Sequence, residues 1–124
     1  MTEIYCNFGI ELYDRKIEGQ VHAIMQILGE VDVRHTRRDT VIFNYNTPLI
    51  ATPYVNEVSD ILCDKLEPFA SIFGDFYQGN KEKCYMGLCF VISELGDEGI
   101  SIFINQRLIK LAMELGVEIQ FDGL

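Results

Sequence analysis

Residues 99–122 read Gly-Ile-Ser-Ile-Phe-Ile-Asn-Gln-Arg-Leu-Ile-Lys-Leu-Ala-Met-Glu-Leu-Gly-Val-Glu-Ile-Gln-Phe-Asp, and few folds accept such a run. Ile100, Ile102 and Ile104 alternate as in a strand. Asn105 stands where it would cap a helix with the apolar stripe Leu108, Leu111, Ala112 and Leu115, and Gly116 stands where it would end that helix. Val117, Ile119 and Phe121 then alternate again. Strand, helix and strand in that order predict a sheet with helices laid on it.

The rest of the chain carries the same two periods. Ile4, Cys6, Phe8, Ile10 and Leu12 alternate with Tyr5, Asn7, Gly9 and Glu11, as in a strand with one buried face. After Asp14, a plausible cap, Ile17, Val21, Ile24, Met25 and Leu28 recur at helical spacing up to Gly29. Val31, Val33 and His35, then Val41, Phe43 and Tyr45 beyond a polar turn, predict a hairpin. Thr52 before Pro53 predicts a helix starting there, with Val55, Val58, Ile61, Leu62 and Leu66 inward, until Pro68 interrupts it. Phe69, Ile72, Phe73 and Phe76 suit either a kinked continuation or an irregular apolar segment. Residues 84–95 form a β-rich run, apolar on both faces, that predicts a central strand. The expected architecture is α+β: one domain over residues 1–124, its sheet mixed or mostly antiparallel, in the order β-α-β-β-α-β-β-α-β.

Length and composition agree, since 124 residues that are 48% hydrophobic with three prolines suit one core and argue against disorder. No apolar run approaches the roughly eighteen residues of a membrane helix, and Met1-Thr-Glu-Ile lacks the basic opening of a signal peptide, so a cytoplasmic protein is expected. Cys6, Cys84 and Cys89 fall in predicted strands and Cys63 in a predicted helix, each among apolar neighbours, and read as free buried thiols. Nineteen acids against ten bases give a formal charge of -9, which repels nucleic acid and attracts a basic partner.

The most distinctive charged feature is Glu57, Asp60, Asp64 and Glu67, spaced by three, four and three residues and so lying on one helix face opposite the apolar stripe. Such a row either meets a basic surface on a partner protein or is a solvated face. Lys65 is the only base within that helix. Asp97 and Glu98, near Glu94, form a second acidic cluster in a polar turn that keeps carboxylates ionised, which disfavours acid–base catalysis. Tyr54 and Tyr77 are the aromatic anchors such a contact would use.

The basic counterpart, Arg34-His35-Thr36-Arg37-Arg38, is too small to propose nucleic-acid binding on so acidic a chain and reads as intramolecular pairing or an exposed turn. His35 shares a strand face with Val31 and Val33 and is expected to be half-buried. Cys84 and Cys89, five apart on one strand, point to opposite faces and cannot share a metal ion, and His22 has no second ligand four residues away. Gly74, Gly79, Gly87, Gly96 and Gly99 form no strand-to-helix phosphate loop. No catalytic, cofactor-binding or metal-ligating residues are therefore expected.

Residues 84–122, with the β-rich run, polar turn, Ile-Ser-Ile-Phe-Ile strand, Asn105-capped helix and closing Leu-Gly-Val-Glu-Ile-Gln-Phe-Asp, resemble the end of the bacterial family known as domain of unknown function 4279. Residues 54–73, with Val-Ser-Asp-Ile-Leu-Cys-Asp-Lys-Leu-Glu-Pro at their centre, resemble that family's middle helix, and the opening strand followed by residues 17–28 also fits. The resemblance implies a small α/β domain and carries no catalytic residue across. In size and charge the chain is similar to immunity proteins, which bind and block a toxin made beside them. The reading this favours is a non-enzymatic inhibitor of a basic toxin or nuclease domain, contacted through Glu57, Asp60, Asp64, Glu67, Asp97, Glu98, Tyr54 and Tyr77. The alternatives are a small-molecule-sensing or regulatory domain, with an apolar pocket and Arg34, Arg37 or Arg38 at its mouth, and a cysteine-dependent enzyme.

Overall fold

In a computed structural model of the chain, residues 1–94 and 102–123 are described. The alternating opening forms β1 (Thr2–Leu12), buried at every second position. Along one side it pairs antiparallel with β5 (Cys84–Glu94) over its whole length, from Thr2 opposite Glu94 to Leu12 opposite Cys84. Along the other it pairs with β3 (Val41–Asn46) and, near its start, with the two-residue β4 (Ile50–Ala51). β2 (Asp32–His35) adds antiparallel to β3 at one edge, and β6 (Ile119–Gly123) lies parallel to β5 at the other. The order is β2-β3-β1-β5-β6, a mixed sheet as expected.

Asp14 accepts a hydrogen bond from the Lys16 amide and starts a 3₁₀ turn, α1 (Glu18–Met25) and a second 3₁₀ turn that ends at Gly29, whose φ of +86° a side chain would resist. α2 (Val55–Leu66) runs through a 3₁₀ turn holding Pro68, placed early enough that its missing N–H costs nothing, into α3 (Ala70–Asn80). The segment around Phe69–Phe76 that periodicity left open is therefore helical. α4 (Gln106–Leu115) begins at Asn105, whose side chain accepts from the Leu108 amide, and ends at Gly116 in the left-handed conformation.

The core lies between one sheet face and the helices. Phe8, Phe43, Phe73 and Phe90 are fully buried in it, with Phe8 edge-on to Phe73 at 5.1 Å between ring centroids. A β-carbon on Gly74 would stand 2.3 Å from the Glu114 carbonyl oxygen, so α3 and α4 meet backbone to backbone there. The opposite sheet face carries the half-buried alternate positions of β1 and β5 and none of the core cluster.

Four expectations are corrected. The second helix starts at Val55, not at Pro53, because residues 50–51 join the sheet and the Thr52 amide donates to the Thr2 carbonyl; Thr52 instead accepts from the Tyr54 amide. Its buried stripe includes Ser59 and Cys63, with Ile61 only half-buried. The strand expected over 100–104 falls partly outside the described residues, and residues 102–105 form no strand. His35 is exposed with the rest of β2, a short edge strand. The described order is thus β-α-β-β-β-α-α-β-α-β.

Candidate functional site

α2 turns Glu57, Asp60, Asp64 and the following Glu67 away from its buried stripe, as their spacing requires. α4 packs beside α2, and its Arg107 reaches over the row: Nε donates to Glu67 Oε2 at 2.8 Å, and Nη2 donates to Glu67 Oε1 and Asp64 Oδ1. Nη1 stands 3.8 Å from Asp60 Oδ1, which also accepts from Asn105 Nδ2 at 3.3 Å. Asn105 thus caps α4 with its oxygen and ties that helix to α2 with its nitrogen. The hydrogen bond from Arg107 holds the Glu67 carboxyl below its ordinary value of 4.5, and the acids hold the guanidinium protonated.

No local spacing points to Arg107, which lies forty residues beyond Glu67 in the chain. Lys65, the base within the helix, is turned toward the Tyr45 ring, 5.6 Å from its centroid. With one guanidinium among four carboxylates the face stays negative, and Arg107 does not touch Glu57 in any ion pair among the described residues.

The other predicted contact residues are dispersed. Tyr54 is exposed at the start of α2, whereas Tyr77 is half-buried on α3 with Lys81 Nζ 5.8 Å from its ring centroid. Asp97 and Glu98 lie outside the described residues. In their place the structure exposes large apolar side chains at Ile102, Phe103 and Ile104 and, four residues apart on α4, at Ile109 and Met113, the last 77% exposed. The signal for the last two was available: both fall outside the Leu108, Leu111, Ala112 and Leu115 stripe.

The basic segment is split by strand alternation. Arg34 points to the open sheet face, His35 to the other, and Arg37 and Arg38 sit exposed on a loop closed by the Thr36 amide donating to the Thr40 carbonyl at 2.9 Å. Arg34 lines a trough of about 220 Å³ across that open face. The register sets its shape. Arg34, Ile42, Glu11 and Tyr85 form one cross-strand row; Asp32, Asn44, Gly9 and Gly87 form the next; Asn46, Asn7, Cys89 and Gln120 form the third. The middle row dips because two glycines oppose each other there. A β-carbon on Gly9 would stand 3.0 Å from Asn7 Oδ1 and 3.1 Å from Asn44 Oδ1, and one on Gly87 would meet the Tyr85 ring at 3.0 Å. The trough is therefore lined by both polar and apolar groups. Glycines at outward positions inside two strands were its sequence signal.

All four cysteines are free, with Cys6, Cys63 and Cys84 buried and Cys89 half-buried at the trough. Burial pushes every one of these thiols up, Cys63 to about 11, which keeps them protonated and poor nucleophiles. Among the described residues no group of three or more His, Cys, Asp or Glu side chains could hold a metal ion, and no helix is long and apolar enough to cross a membrane.

No family model matches the sequence, and neither a curated protein nor a solved structure matches it significantly.

Proposed function

We propose that this chain is a non-catalytic protein-binding domain, an immunity-type inhibitor that occludes a basic toxin or nuclease domain in the cytoplasm. The observation that carries this reading is the exposure of Ile109 and Met113 on α4, the helix whose Arg107 gathers the acids of α2. Large exposed apolar side chains with charge around them are the composition of a protein interface, and the acidic surroundings select a basic partner. Glu57, which is exposed, and Asp60, which Arg107 only approaches, are the acids most free to steer that partner. The resemblance to the domain of unknown function 4279 family belongs to the same proposal.

The test is to mix the purified chain with the C-terminal domain of the polypeptide encoded beside it. A complex is expected whose association slows with added salt and with Glu57→Gln plus Asp60→Asn, and whose Kd rises about tenfold or more in Met113→Glu. Absence of a complex with the product of either flanking reading frame overturns the reading.

A second reading, a small-molecule-sensing or regulatory domain, is favoured by the trough on the open sheet face, which lies away from the helices.

A further inference from the structure

The geometry of that trough points to a ligand class: we propose that it binds a small neutral polyhydroxylated molecule, a monosaccharide in kind. The inference rests on the second reading above and is independent of the docking face on α2 and α4. Its floor is the Gly9–Gly87 pair at the middle of the two central strands, bordered by the Asn7 and Asn44 amides over Gly9 and by the Tyr85 ring over Gly87. The rows on either side are four residues apart along each strand, or roughly 13 Å, which leaves a slot one ring wide once Tyr85 leans over Gly87.

The walls offer hydrogen-bonding groups of both kinds. Asn7 Nδ2 donates to Asn44 Oδ1 and to Asn46 Oδ1, each at 2.9 Å, which uses both its hydrogens and leaves Asn7 Oδ1 beside Gly9 as an acceptor. Asn44 lines the trough, and while its Oδ1 accepts from Asn7, its Nδ2 donates to no protein atom among the described residues and stays open to solvent. A donor that no protein group uses is one a ligand oxygen can take over from water. The Tyr85 hydroxyl accepts from Gln120 Nε2 at 3.1 Å and keeps its own hydrogen to give. A sugar hydroxyl both donates and accepts, so it matches this alternation, and the C–H face of a sugar ring matches the Tyr85 ring.

Charge disfavours a ligand that carries a single net charge. Glu11 and Arg34 stand in one row on either side of Ile42, one acid and one base, without an ion pair between them among the described residues. A phosphorylated ligand would face Glu11 and the overall charge of -9, and a cationic one would face Arg34. The volume of about 220 Å³ suits one ring rather than a drug-sized molecule.

The experiment is a titration of the isotopically labelled full chain with glucose, galactose, mannose and N-acetylglucosamine, following the side-chain amide resonances of Asn7, Asn44 and Gln120. Saturable shifts confined to these amides and the Gly9 and Gly87 backbone are expected for at least one sugar at ~50 mM or below, as for millimolar affinity. Asn44→Ala should weaken binding at least tenfold, and Gln120→Ala, at an exposed position on an edge strand, at least threefold. No saturable shift with any sugar, or shifts only away from the trough, overturns the inference. Binding of inorganic phosphate or glutamate in the trough instead overturns the ligand class but keeps the sensing reading, whereas no ligand from a metabolite panel moving these resonances overturns both.

Discussion

Arg107 on α4 clasps Glu67, just past the end of α2, through two parallel hydrogen bonds, Nε to Oε2 and Nη2 to Oε1. The same guanidinium also bonds Asp64. A row of like charges that repels itself along one helix thereby becomes a tie between two helices, with the planar fork suited to carboxylates.

Arg107→Ala should lower thermal stability by a small amount, because the pairs are exposed and solvent screens them. The pH dependence has a definite sign. The Glu67 carboxyl titrates lower in the folded than in the unfolded chain, so its contribution is present above the unfolded value near 4.5 and is lost as the pH falls through the depressed folded value. Melting temperatures of the two proteins should differ at pH 7, converge as the pH falls through the depressed Glu67 value, and differ less at high salt. Arg107→Lys should recover only part of the difference, since it restores the charge without the fork.

Gly74 and Gly79 lie on one helix but should respond oppositely to alanine. At Gly74 the added carbon would meet the Glu114 carbonyl oxygen at 2.3 Å, and since the carbon is fixed to one backbone and the oxygen belongs to the other the helices must separate. The expected cost is about 3 kcal/mol by urea denaturation. At Gly79 nothing lies within 4 Å, so alanine should stabilise by about 0.5 kcal/mol through helix propensity.

Phe8→Ala removes a fully buried ring at the centre of the sheet, together with its edge contact on Phe73. A loss of about 3–5 kcal/mol is expected, a large share of the total stability of a domain this size. It should appear as a lower urea midpoint with an unchanged slope.

Alkaline pH should destabilise the fold. Cys6, Cys63 and Cys84 ionise at higher pH when folded than the ordinary value of 9.0, so their contribution is full below about pH 9 and is lost as the pH rises through the folded values, about 11 for Cys63. Denaturation midpoints measured from neutral pH upward should hold level and then fall above about pH 9. Iodoacetamide added to the native protein near pH 8 should label Cys89 first, as the thiol that is not fully buried.

Much of the fold was written locally. The alternation from Ile4 to Leu12 foretold the burial of every second residue in β1, and Asn105 and Gly116 marked the ends of α4 to the residue. Periods of two and near four record which side of an element faces the core, and caps record a local need for hydrogen bonds or a left-handed turn. Each of these is satisfied within a few residues of where it is written.

The candidate sites were legible only in fragments. The acid row from Glu57 to Glu67 was plain, but its partner Arg107 was not, and the glycines at 9 and 87 gave no sign that they would stand opposite each other. Thr52 looked like a helix cap until the Thr2 carbonyl claimed its amide for the sheet. From its residues alone, then, this chain specified an acidic α+β domain, the ends of α4 and which face of each long strand would be buried. Strand order beyond the β2–β3 hairpin, the tie between α2 and α4 and the trough on the open face came from pairings between residues roughly thirty to ninety positions apart, and a single sequence holds no local record of such pairings.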